Sequence, residues 1–207
     1  DGAGTPCAFN VVLNAQHDYE ICDSSLRRVR TIPVISSNQE NAKHFVINTL
    51  EHIASYKYIE SIENRIPEPS LADSFTFEFG KKHTSTATSV TGTLQVQEDE
   101  RFGFRFQNLG RDSLFVYLYI LNPGWSIVDS MPSVAGGEGA EVSAERKPFE
   151  RNYIACLPDS CKDPGIRQAD EVFKFFVTRR PDSFAPLKID SLIDSAPTRG
   201  RNNNLGQ

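Results

Sequence analysis

From Ser74 onward the apolar residues recur at every second position. Phe75, Phe77 and Phe79 alternate with Thr76 and Glu78, Leu94 and Val96 with Gln95 and Gln97, and Phe102, Phe104 and Phe106 with Gly103 and Arg105. That period predicts strands with one buried face. The run Leu114 to Leu121, LFVYLYIL, is apolar on both faces and predicts a central strand. Shorter runs at 126–128, 152–156 and 172–178 predict further strands, and Phe9 to Leu13 a short buried one. A β-branched stretch from Arg30 to Ile35, broken by Pro33, reads as an edge strand. Asn108-Leu-Gly-Arg-Asp112 carries a hairpin-turn signal, and Gly136 to Gly139 reads as a flexible loop.

One segment follows a different period. Ala42, Phe45, Val46, Leu50, Ile53, Tyr56, Ile59 and Ile62 recur every three to four residues, which predicts an amphipathic helix over about 38–64. Ser37-Asn-Gln-Glu40 has the spacing of a capping box at its start, and Asn64 and Pro67 close it. The pattern predicts a mainly β (α+β) fold: a β-sandwich of about seven or eight strands with one helix docked on a face or edge. A single domain over 1–193 and a flexible tail over 194–207 are expected. Phe104, Phe106, Phe115, Leu118 and Phe176 are the expected core, with Phe45, Leu50 and Ile53 packed on them or on the adjoining sheet.

Composition narrows the function. At 207 residues, 39% hydrophobic with 14 Phe, the chain can bury a sizeable core without metal or disulfide staples. Its net charge of −5 offers no overall driving force for nucleic-acid binding. No apolar run approaches the length of a membrane span. The start at Asp1, with Met131 the only methionine, suggests a fragment or processed product. Cys7, Cys22, Cys156 and Cys161 leave three readings open: free buried thiols, disulfides, or a four-thiolate zinc site. The loop-closing spacing of Cys156 and Cys161 makes that pair the candidate disulfide. The absence of any Asn-x-Ser/Thr sequon agrees with a cytoplasmic home.

The segment Phe102-Gly-Phe-Arg-Phe-Gln-Asn108, continuing through Leu114 to Leu121 and Trp125-Ser-Ile127, resembles the C-terminal β-rich region of fungal proteins that carry a caspase-like peptidase domain. Asp170 to Thr178, with Ser183, Phe184 and Leu187, is similar to the end of that region. The resemblance implies a non-catalytic accessory module that contacts a protein partner or restrains an attached domain. The peptidase itself is not expected in this chain. None of His17, His44, His52 and His83 is followed by glycine, and no cysteine stands in a caspase-type context.

Other chemistry is equally sparse. No Gly-x-Ser-x-Gly, Walker loop or His-Glu-x-x-His motif occurs, and no cofactor is expected. His17-Asp18 beside Cys22 would form a thiol–imidazole site only through coincidence of folding. Glu98, Asp99 and Glu100 read as a solvated turn in preference to a Ca²⁺ site. Lys81-Lys82-His83 and Arg179-Arg180 read as surface charge at strand ends. Trp125, following Pro123-Gly124, reads as a plug for one end of the core. The alternative function, a lectin-like ligand-binding sandwich, would need Trp125, Tyr117 and Tyr119 all to face solvent.

Overall fold

The structure, a computed structural model, describes residues 8–66, 68–81, 92–131, 139–144, 147–157 and 168–192. It is mainly β, as the alternation predicts. Its strands form three antiparallel sheets. Strands β1 (Phe9–Leu13) and β2 (Tyr19–Asp23) make a hairpin. The helix α1 (Ala42–Ser61) and a single helical turn, α2 (Pro69–Ala72), follow. The second sheet places β4 (Arg101–Asn108) between β3 (Phe75–Lys81) and β8 (Phe149–Ile154). The third is built on β5 (Leu114–Leu121). The last described strand, β9 (Val172–Thr178), pairs with β5 from Phe115 to Leu121, while β6 (Ile127–Asp129) and β7 (Ala140–Val142) pair its two ends and so share the opposite edge.

β5 organises the core because both of its faces are covered. Leu114, Val116 and Leu118 join Phe104, Phe106 and the β3 phenylalanines in one cluster, with Phe175 edge-on to Phe77 and Phe104. Tyr117, Tyr119 and Leu121 point the other way, into a cluster with Ile53, Tyr56 and Ile59 of α1 and with Ile21, Ile32 and Trp125. The uninterrupted apolar run thus has the burial expected of a strand covered on both sides. Of the expected core, Phe104, Phe106 and Leu118 are buried, whereas Phe115 and Phe176 are partly buried on the helix side. Ile53 and Leu50 pack on that same side, and Phe45 is only partly covered.

Several expectations are corrected. The capping box does not form: α1 starts after Asn41, which is left-handed and makes no side-chain cap bond. Ser37 donates its N–H to Asp18 Oδ1 at 3.0 Å, so that segment is tied to the β1–β2 turn. The 108–112 turn is no hairpin, because β4 and β5 lie in different sheets. Buried Asn108 makes the crossing possible. Its Nδ2 donates to Asp112 O and Val142 O, and its Oδ1 accepts from Gly110 N–H, replacing the ladder bonds lost where the chain changes sheets. Residues 30–35 form only an isolated bridge from Ile35 to Tyr19, and 94–96 form no strand. β1 is a part-exposed hairpin strand, and β2, β7 and α2 have no counterpart among the predicted elements. Cys7, Pro67, Lys82, His83, Gly136 and Gly137, Cys161 and the 194–207 tail lie outside the described residues.

Candidate functional site

The three aromatics of the expected ligand surface do not face solvent. Tyr117 is 1% exposed, Tyr119 0% and Trp125 8%. Their positions follow from the alternation of β5, which sends both tyrosines toward α1, and from the tight turn between β5 and β6. There Asn122 O accepts from Trp125 N–H at 3.0 Å, and Trp125 takes the left-handed conformation, φ 67°, unusual for a bulky residue. The indole fills the end of the core, edge-on to Phe9 at 5.9 Å and Tyr56 at 5.1 Å, with Nε1–H donating to Thr31 Oγ1. His52 Nε2 lies 2.6 Å from Trp125 O, and Tyr56 OH donates to Asn122 O. Trp125 is the plug. Burial holds Tyr56 well above the ordinary phenol range, with the charges of Glu60 and Glu171 adding to the shift.

Polar groups around this corner serve structure. Lys57 Nζ pairs with Glu60 at 2.6 Å and lies 5.8 Å from the Trp125 ring centre. Lys174 of β9 donates to the carbonyls of Glu60 and Ile62 at the end of α1, where a cation complements the helix dipole. Burial lowers the Lys174 pKa, and Glu60 and Glu63 oppose that shift.

Among the described residues the candidate catalytic and metal groups are not assembled. Cys22 is buried in β2 opposite Asn10, while His17 is exposed in the β1–β2 turn. Glu100 Oε2 accepts from Lys81 Nζ at 2.8 Å and from Gln97 N–H at 2.9 Å, which ties up the acidic turn. These contacts hold its pKa below the usual range, Lys81 contributing most. Arg179 reaches Ser70 and Glu68 beside α2. Among the described residues no three His, Cys, Asp or Glu side chains converge as metal ligands. Cys156 is an exposed free thiol, and the other half of the candidate disulfide, Cys161, lies outside the described residues.

The structure also presents some apolar side chains to solvent. Along β1–β2, Phe9, Val11 and Leu13 share a face with Tyr19 and Ile21, because Val11 opposes Ile21 and Leu13 opposes Tyr19. Phe9 and Ile21 are anchored in the α1-side cluster, yet Leu13 overhangs it, 57% exposed, and Val11 is exposed beside it. At the far end of the hairpin Leu26 is left-handed, φ 59°, and 65% exposed. Asp23 imposes that turn: its Oδ1 accepts from Ser25 and Arg27 N–H, and its backbone O from Leu26 N–H. β1 ends its sheet, with β2 on one side and no strand on the other among the described residues. Nothing in the sequence distinguishes these overhanging residues from core, since Phe9-Asn-Val-Val-Leu13 reads as a buried strand. No helix among the described residues is long and apolar enough to cross a membrane. No protein-family model, characterised protein or solved structure matches the chain.

Proposed function

We propose that the chain is a non-catalytic interaction module that binds a protein partner through the overhanging face and outer edge of its N-terminal hairpin. The observation that carries this reading is the pairing of anchored Phe9 and Ile21 with exposed Val11 and Leu13 on one strand face. An apolar face exposed to water, beside a strand edge that no described strand pairs, is what strand addition or hydrophobic docking by another protein uses. The burial of Trp125, Tyr117 and Tyr119 removes the aromatic platform on which the lectin-like alternative rested. The resemblance of residues 102–127 and 170–187 names the partner class: a fungal caspase-like peptidase domain, attached or separate. The test is titration calorimetry of the 207-residue chain against such a domain. Saturable binding that Leu13→Asp weakens at least about tenfold supports the reading, a loss of about 1.4 kcal/mol. Binding unaffected by Leu13→Asp and Val11→Asp places the contact elsewhere, and no binding removes the proposed partner.

A further inference from the structure

Strand β8 carries one residue that its own pattern does not accommodate. Phe149, Arg151 and Tyr153 alternate inward, toward the core shared with the β5 sheet, while Glu150, Asn152 and Ile154 face solvent. Apolar or aromatic residues suit those inward positions, yet a guanidinium stands between two aromatic rings and opposite buried Phe104 in the β4–β8 register. Arg151 Nη2 donates to Ser130 O at 3.1 Å, and its buried Nε–H has no partner among the described residues.

Arg151 as a whole is only partly buried, but a buried guanidinium N–H without an acceptor is disfavoured unless something completes it. The neighbouring carboxylates are committed elsewhere. Glu150 pairs with Arg105 on the outer face, and Asp129 accepts from Met131 N–H and lies 3.7 Å from Lys188 Nζ. Among the described residues none forms an ion pair with Arg151. Two hydroxyls stand beside it instead: Ser130 Oγ and Tyr153 OH are 3.0 Å apart. Only one proton is used between them, so the other O–H remains able to donate. Ser130 is held in place by its N–H bond to Leu118 O at 2.9 Å.

The geometry points to an oxyanion site formed by Arg151, Ser130 and Tyr153 at the rim between β8 and β6, taking a carboxylate or phosphate group. Nη2 gives one N–H to Ser130 O, and the remaining guanidinium N–H donors, with Nε–H buried behind them, suit the oxygens of an anion entering from the rim. The Ser130–Tyr153 pair supplies a further donor. Burial raises the Tyr153 pKa while Ser130 and Arg151 oppose that shift, in keeping with a neutral hydroxyl beside the guanidinium. The site lies on the opposite side of the β5 sheet from the proposed protein contact and does not depend on that reading.

The test is thermal unfolding of the full chain in inorganic phosphate and, in a second arm, acetate, with ionic strength held constant by NaCl. Binding to the folded state gives a Tm that rises with probe concentration according to an affinity rather than linearly with salt. A response confined to the phosphate arm assigns a phosphoryl group, and one in the acetate arm a carboxylate. Arg151→Met is expected to abolish the response and Tyr153→Phe to weaken binding severalfold. The outward-facing Arg105→Met should respond like the parent. If Arg151→Met does not fold, Arg151→Lys keeps the charge but not the guanidinium, and at least about tenfold weaker binding is expected. No probe-specific rise in either arm, or an unchanged response in the Arg151 variant, overturns the assignment.

Discussion

Phe104→Ala probes the architecture at the place where two sheets depend on each other. Phe104 is buried on β4, edge-on to Phe175 of β9 at 4.9 Å and stacked at 5.8 Å on Phe77 of β3. Phe149 and Tyr153 of β8 complete its surroundings. Strands on all sides fix these rings, so the site cannot collapse freely around a missing side chain. The truncation should cost about 3–5 kcal/mol, which for a chain of this size is a fall in Tm of roughly 6–20 °C. Urea unfolding should be followed by far-ultraviolet circular dichroism and by the fluorescence of Trp125, the only tryptophan. Trp125 belongs to the cluster on the other face of the β5 sheet. Because β5 contributes alternate residues to both clusters, the two signals should shift together in Phe104→Ala. Ile53→Ala, on the helix side, should add to it within about 0.5 kcal/mol, since the two side chains share no cluster. A variant that melts within a degree or two of the parent would refute the assigned face. A Trp125 transition that stays in place while the dichroism moves would refute the claim that β5 couples the layers.

Other expectations follow from single close approaches. At Gly103 an added Cβ would lie 2.1 Å from Arg151 O, so Gly103→Ala should separate β4 from β8 and lower the urea midpoint by the equivalent of at least about 2 kcal/mol; a neutral result would contradict the register. Gly139 combines φ 80° with a Cβ position 2.6 Å from the Tyr117 ring, and Gly139→Ala should also destabilise, as read by the same unfolding curves. Glu100 has a folded pKa below its unfolded value, so its contribution to stability is present above about pH 4.5 and is lost as pH falls through the folded value. Lys81→Met should return the Glu100 carboxyl resonance midpoint toward the ordinary range, and an unchanged midpoint would exclude Lys81 as the main cause. In the native state a thiol reagent should label Cys156 rapidly and Cys22 only after unfolding, and the reverse order would contradict their burial.

How much of this was legible in the chain depended on whether local pattern or distant contact decided the outcome. The runs 75–79, 102–106 and 114–121 announced their strands because both alternation and continuous apolarity report burial directly. Helix α1 announced itself through its stripe, but its start did not: Ser37-Asn-Gln-Glu40 has the right residues for a cap, and Asp18 from the preceding turn takes the Ser37 N–H instead. The 108–112 segment has hairpin chemistry yet links two sheets, because Asn108 bonds to a carbonyl on β7, 34 residues away. The alternative of an exposed aromatic surface does not fit the buried Tyr117 and Tyr119. The continuous apolarity of 114–121 already pointed to two covered faces, but not to α1 and the N-terminal hairpin as the cover. Arg151 escaped notice because the strand was expected to begin at Asn152, which cut off the period-two series of Phe149, Arg151 and Tyr153.

The central claim is that this chain works by contact through its N-terminal hairpin. Hydrogen exchange of the full chain, alone and with a fungal caspase-like peptidase domain, tests it most directly. Amides of residues 9–13 should gain protection in the complex, with little change over 114–121, where most of the backbone is already paired on both edges. Protection that appears elsewhere while residues 9–13 exchange as in the free chain would contradict the account.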